Sequence, residues 1–271
     1  MKVPQLFLFL ALPVISLANA RECDLIRVGC SNSWYPVSFL LPTDKDKATG
    51  IAIEATRMAA KQLGLSIKFN CVMPWARVIS AMDTGEIDML AGHYLTKNRD
   101  KNWLVGGTIT SDDVRAVYKR KELSIHSVTD LKNLHGAKVR GAKNGDIVDK
   151  YTSGDLPDYP MSEIVDYDQL LDLVLKGRVD YVLRSKRDAL EYIKMYGLEE
   201  TLFLSESLTV NPVHISFSKK SPCAHLLGRF NQLFEQYKET GIVEKLSVNA
   251  TQAYWSGAEI SPLQPKKSAI N

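Results

Sequence analysis

Apolar and polar positions along the chain switch repeatedly between two periods. Leu25 to Gly29, Ser66 to Asn70 and Ile87 to Ala91 are short β-like runs. Between them, Ile51, Ala55, Met58, Ala59 and Leu63 share one helical face, with Gly64 as the stop. Trp75, Val78, Ile79 and Met82 repeat the i, i+3, i+4, i+7 spacing up to Gly85. A long irregular stretch, 92–111, is predicted next, and loops of that length are uncommon unless functional. The alternation then resumes. Val114 to Tyr118, Ala137 to Val139, Val179 to Leu183 and Val213 to Phe217 read as strands. Thr129 to Leu134 reads as one helical turn, and the turn Lys143-Asn144-Gly145-Asp146 follows the strand at 137–139. Helices are predicted at 169–176, capped by Asp168, and at 186–196, ending at Gly197. Ser221-Pro222 opens a long helix whose apolar face is Leu226, Leu227, Phe230, Leu233, Phe234 and Tyr237, and a short helix 242–247 follows Gly241. Short strands alternating with amphipathic helices predict an α/β protein with mainly parallel sheets.

The two ends lie outside this pattern. Lys2, the apolar run Leu6 to Leu17 and Ala18-Asn19-Ala20 match a secretory signal peptide cleaved after Ala20. The residues before Cys23 do not resemble a lipoprotein signal, so a soluble mature protein in the periplasm is expected. The tail from Ala258, with two prolines and two lysines, is expected to be disordered. Net charge is +3, and loss of Lys2 leaves +2, too weak a balance to argue for a nucleic-acid partner. Cys23, Cys30, Cys71 and Cys223 lack metal-ligand spacing. In an oxidising compartment four cysteines allow three pairings, and one or two structural disulfides are expected.

Several segments then resemble a known family. Ile26-Arg27-Val28-Gly29, followed by Pro36, Phe39, Gly50 and Glu54, is similar to the opening of the polar amino-acid-binding periplasmic proteins, solute-binding protein family 3. Gly85-Glu86-Ile87-Asp88, Ala91-Gly92 and Thr96-Lys97-Asn98-Arg99 resemble its G-x-x-D…G…T-x-x-R signature, and Leu131 to Val139 its "DLKGKKV" segment. Gly177-Arg178-Val179-Asp180 resembles its "GRVD" segment. The resemblance implies a two-lobed periplasmic-binding-protein-like α/β fold of type II, each lobe a mixed sheet flanked by helices. Lobe one would be 21–112 with a return at 211–257, and lobe two 113–210. A monomer is expected, closing on a small polar or anionic ligand for an ABC transporter permease or a membrane sensor.

The resemblance makes Arg99 the carboxylate clamp, since a guanidinium fork matches a carboxylate and gains strength when buried. Thr96 would add a hydroxyl and Gly92 backbone groups. Trp34 and Trp75 would form flat apolar walls. Asn144 and Gly145 would offer a glycine turn suited to an anion. Two carboxylates common in amino-acid binders are replaced, by Ser31 and Ser185, and Arg184 adds positive charge instead. The expected ligand is therefore an acidic or carboxylate-rich compound, with Asp112, Asp146 or Asp166 as substitute carboxylates. Tyr35, Arg77, His93, Tyr94 and Arg140 complete the set. No cofactor, metal or catalytic residue is predicted. G-x-S-x-G, H-E-x-x-H and phosphate-loop motifs do not occur, and the five histidines are scattered. The alternative is a dehydratase-like enzyme on the same fold, with His93 as its acid or base.

Overall fold

The computed structural model describes residues 23–256 except Asn98 and Asp168, so the signal-peptide, Asp168-cap and tail expectations lie outside the described residues. In chain order the first elements are β1 (Leu25–Gly29), β2 (Ser33–Trp34), β3 (Ser38–Leu41), β4 (Asp44–Thr49) and α1 (Ile51–Gln62). Next come β5 (Ser66–Asn70), α2 (Trp75–Thr84), β6 (Met89–Tyr94), β7 (Trp103–Tyr118) and β8 (Gly136–Val139). Then follow α3 (Asp146–Thr152), β9 (Met161–Ile164), α4 (Gln169–Leu175), β10 (Tyr181–Ser185) and α5 (Lys186–Met195). The described residues end with β11 (Phe203–Leu204), β12 (Thr209–Ser218), α6 (Leu227–Glu239) and α7 (Ile242–Ser256).

One mixed sheet runs through the whole molecule in the order β5-β1-β6-β12-β7-β10-β8-β9, with β11 on β7. β1 is parallel to β5 and β6, and β8 is parallel to β9 and β10. The two parallel groups are joined by antiparallel β7 and β12. β7 is 16 residues long, roughly 50 Å at strand rise. Its first residue pairs with Ser218 of β12 and its last with Tyr181 of β10. It therefore runs from one half of the molecule into the other.

Each half buries its sheet on both faces, as parallel sheets require. In the first half, Met89 and Ala91 of β6 face a core with Ile26, Val28, Phe217, Phe230 and Phe234, covered by α1 and α6. Leu90, between them, faces Val78, Met82 and Trp103 beneath α2. In the second half, Val182 joins Ala137, Leu171 and Ile193, while its neighbours Tyr181 and Leu183 join Leu131 and Val148. The period-2 alternation of each strand sorts its side chains between two helix layers.

The stretch expected to be irregular at 92–111 is instead largely strand, the end of β6 and most of β7. Gly107, Thr108 and Thr110 are half-exposed between buried Gly106 and Ile109, a pattern too weakly apolar to announce a strand. A three-stranded sheet, β2-β3-β4, which no predicted element covered, stands at 33–49, and the last helix extends to Ser256 rather than ending at 247. The long helix begins at Leu227, after a 3₁₀ turn, because Ser221 donates its hydroxyl to Asp88 and accepts from Cys223 N–H. Two disulfides, Cys23–Cys223 and Cys30–Cys71, tie the ends of β1 to the late chain and to the end of β5.

Candidate functional site: a cleft between the halves

Strand ends from both halves face each other across a cavity of about 90 Å³. From the first half, the segment after β1 brings Ser31 and Asn32, β2 brings Trp34, the start of α2 brings Pro74 and Trp75, and β6 brings His93 and Tyr94, followed by Arg99. From the second half come Lys138, Val139, Ala142, Lys143, Asn144, Val165, Tyr167, Leu170, Leu183, Arg184 and Ser185, with Val114 of β7 between. Ligands of open α/β sheets bind at this carboxyl end of the strands. The Cys30–Cys71 bridge fastens together the two segments that deliver Ser31 to Trp34 and Trp75.

Arg99 is buried, 8% exposed. Its Nη1 donates to the Tyr94 carbonyl at 2.7 Å and its Nη2 to the Gly141 carbonyl at 3.3 Å, one in each half. Its guanidinium lies 5.4 Å from the Trp103 ring. Burial lowers its pKa to about 10, against the pull of Asp149 and Asp83. No carboxylate makes a salt bridge with it among the described residues. A charged group buried with carbonyls alone for company is costly to hold.

Arg184 is also buried, with its Nε on Asp188 Oδ2 at 2.5 Å and its plane 4.3 Å from the Tyr167 ring centroid. Burial opposes the charge on Arg184, and Asp188 more than offsets it, so its pKa is raised. Its Nη1 has no hydrogen-bond partner, nor do Asn144 Nδ2 and Thr96 Oγ1. Buried polar atoms are ordinarily satisfied, and Arg184 and Asn144 both line the cavity, so these two spare donors mark a place for an acceptor, while Asp149 Oδ2, outside the lining, is likewise unpartnered.

Asp112, on β7, ties the halves together. Trp34 Nε1 at 2.9 Å and Tyr94 Oη at 2.6 Å donate to its Oδ2, and Ser185 Oγ at 2.6 Å donates to its Oδ1. Burial and the Asp112 charge push the Tyr94 phenol well above its usual value, so Tyr94 stays protonated and donates. Trp34 packs edge-on to Tyr94 at 5.0 Å. Gly92, at φ 97°, permits this, because a Cβ there would stand 2.9 Å from Val37 and 3.4 Å from the Trp34 ring.

His93 is buried between Trp103 and Ser216. Its Nδ1 lies 3.0 Å from the Tyr94 carbonyl, which can only accept, so Nδ1 carries the proton and Ser216 Oγ donates to Nε2. Burial, then the Arg99 charge, lowers its pKa to about 3. It is a neutral residue that orients the carbonyl holding Arg99.

Of the sequence-predicted site residues, Ser31, Trp34, Trp75, His93, Tyr94, Arg99, Asn144, Arg184 and Ser185 line the cavity. Gly92, Thr96 and Gly145 are buried beside it, Gly145 against Asn211 at the start of the seven-residue α3. Tyr35 stands elsewhere, packed with Phe39 and Tyr254 and bonded to Thr251. Arg77, Arg140 and Asp146 are exposed, Arg140 lying 3.8 Å from Glu163. Sequence reasoning did not find Lys138, Val139, Tyr167, Leu170 or Leu183. Lys138 lies in a strand and carries no turn signal. Its Nζ donates to the Thr152 carbonyl at 2.7 Å, and burial lowers its pKa.

Two α/β halves on crossing strands, with a donor-rich cleft between them, define a two-lobed ligand-binding protein. The sequence profile of bacterial extracellular solute-binding proteins, family 3, matches residues 26–251, and the chain belongs to that family. It is 22% identical to the L-cystine-binding protein TcyA of Bacillus subtilis, over 90% of this chain and 85% of that one. It is 24% identical to membrane-bound lytic murein transglycosylase F of Photobacterium profundum, over 85% of this chain and 44% of that one. The fold superposes on the amino acid ABC transporter substrate-binding protein AbpA of Streptococcus pneumoniae bound to L-arginine. The TM-score is 0.72 at 18% identity, covering 85% of this chain and 96% of that one. The family thus has binding proteins and an enzyme among its relatives.

Proposed function

We propose that this protein captures a small carboxylate-bearing solute in the cleft by closure of its two lobes, and performs no chemistry on it. The lobes are 21–112 with 211–257, and 113–210. The carrying observation is Arg99, a buried guanidinium with no ion-pair partner among the described residues, held by one carbonyl from each side of the cleft. A ligand carboxylate would neutralise it and bring the halves together, favouring the closed state. The donors left over on Arg184 and Asn144 support the same reading, and His93, the one histidine among the described residues lining the cavity, is buried and neutral, unsuited to acid–base work at neutral pH. After cleavage near Ala20 the protein is released to the periplasm, where as a monomer it hands its solute to an ABC transporter permease or reports it to a membrane sensor. The test is a thermal-shift screen of amino acids and small organic acids against the wild type and Arg99→Ala. A ligand that binds only the native state must raise Tm by mass action. Ligands that shift the wild type and not the variant are expected, and a hit that shifts both equally would sink the proposal.

A further inference from the structure

A cleft built to hold an α-amino acid must satisfy an ammonium as well as a carboxylate. Among the described residues lining this cavity there is no Asp or Glu, while Arg99, Lys138, Lys143 and Arg184 all line it. Three carboxylates lie behind the wall without lining the cavity, two of them held by side-chain donors and the third, Asp149, surrounded by cations. Asp112 is covered on the cavity side by Trp34, Tyr94 and Ser185, which all donate to it and all line the cavity. Asp188 is bound to Arg184 and to the Tyr167 hydroxyl. Asp149 accepts from Asn144 N–H through Oδ1 and leaves Oδ2 without a partner, but it does not line the cavity, lies in the fields of Lys143, Lys138 and Arg99, and is pushed up in pKa by burial. An ammonium entering the cleft would lose its water and meet cations instead of an anion, which is unfavourable on both counts. The rest of the wall is apolar, with Trp75, Val139, Leu170 and Leu183 among it.

Building on the solute-capture reading, we infer that the ligand of this cleft is an organic carboxylate with an apolar body and no α-ammonium group. Its carboxylate takes Arg99, and its body fills the space against Trp75, Val139, Leu170 and Leu183. Any second acceptor it carries meets Arg184 Nη1 and Asn144 Nδ2. Rejection of amino acids is the work of Ser185, which closes the Asp112 oxygen nearest the second half, Oδ1. The hydroxyl makes no capping bond to α5, so its removal spares the helix.

The experiment compares matched pairs that differ only in the amino group: 3-phenylpropanoate with L-phenylalanine, 4-methylpentanoate with L-leucine, and pentanedioate with L-glutamate. Melting shifts and calorimetry are read on the wild type, Arg99→Ala and Ser185→Ala. The wild type is expected to bind at least one des-amino acid about tenfold or more tightly than its amino-acid partner, a ratio worth about 1.4 kcal/mol. Ser185→Ala, by uncovering Asp112 Oδ1, is expected to narrow that ratio about tenfold. Amino acids that bind the wild type as tightly as their partners, with Arg99→Ala abolishing both, would overturn this inference and leave solute capture standing. An unchanged ratio in Ser185→Ala would also overturn it. Pairs that leave the wild type silent, or that Arg99→Ala does not affect, would overturn capture itself and this inference with it.

Discussion

Arg99 joins the two halves by donating to the carbonyl of Gly141 at 3.3 Å, across the cleft from the Tyr94 carbonyl it holds at 2.7 Å. The arrangement positions a cation while leaving its charge unanswered, and function and stability therefore pull in opposite directions at this residue. Arg99→Met keeps the bulk of the side chain and removes the buried charge. Ligand affinity should fall by about a hundredfold or more, the scale of losing a charge-assisted bidentate contact. The ligand-free Tm should stay level or rise, since binding sites commonly hold groups that burden the fold. Calorimetry and thermal melts on one sample check both halves, and a variant that loses many degrees while still binding would refute the account.

The two disulfides should separate in their effects. Cys23–Cys223 spans 200 residues and Cys30–Cys71 spans 41. Chain-entropy arguments put the loss on removal at about 5 and about 4 kcal/mol respectively. Cys23 and Cys223 touch nothing in the cleft, so their replacement by serine should lower Tm and leave the Kd of any ligand found by screening within about twofold, after allowance for the folded fraction. Cys30 and Cys71 anchor the segments carrying Ser31 to Trp34 and Trp75, so their replacement should weaken binding as well. Equal effects on Kd from both pairs would show that the inner bridge has no positioning role.

The sequence motifs proved legible for reasons different from binding. Asp88 of the G-x-x-D segment accepts from Arg27 N–H and the Arg27 side chain, and Asp180 of the later "GRVD" segment accepts from His135 N–H. Each stands just ahead of a strand, β6 or β10, and pins the neighbouring chain, so these aspartates announce the fold of each half. The first-half site was readable where a residue follows a strand end or starts a helix, as Ser31, just past β1, and Trp75, at the start of α2, do. Lys138 and Leu183 reach the cavity from strands whose alternation reads as ordinary core, Leu170 from a core-facing helix and Tyr167 from the connection before it, and the pairing of β8 with β9 and β10 brings the strands that carry Lys138 and Leu183 together. Asp112 was visible only as one carboxylate among several. Its role follows from three donors brought together from 78, 18 and 73 residues away, separations that no local pattern encodes. Arg77 and Arg140 stood in the sequence as lesser companions of Arg184, and they are exposed where Arg184 is buried.

His93 makes stability depend on acidity in a defined direction. Its native pKa of about 3 lies below the ordinary 6.5, so between these values the unfolded chain binds a proton that the native protein refuses. Its contribution is complete above pH 6.5 and is lost as pH falls toward 3. At pH 4.5 the loss should reach about 2–3 kcal/mol. His93→Gln keeps polar atoms near Ser216 and cannot titrate. Denaturant midpoints from pH 7.5 to 4.5 should therefore fall less steeply in the variant than in the wild type, and parallel curves would rule out His93 as the source.

The Arg184–Asp188 pair gives the sharpest test of how the second half is held. Both side chains are almost fully buried, at 2% and 3% exposure, and Tyr167 closes over them with its ring on Arg184 and its hydroxyl on Asp188. Burial raises the Asp188 pKa to about 6 even with the Arg184 charge beside it, so the pair is held at a desolvation cost. Asp188→Ala alone strands a guanidinium and should cost about 3–5 kcal/mol. Arg184→Met with Asp188→Leu removes both charges and refills the space, and should be far milder or neutral for the same reason. Because Arg184 Nη1 is one of the spare donors in the cleft, the double variant should nonetheless bind more weakly any ligand whose second acceptor reaches it. A stable double variant with unaltered affinity for every ligand would remove Arg184 from the binding surface, and an unstable one would show that the ion pair, and not the packing around it, maintains that half.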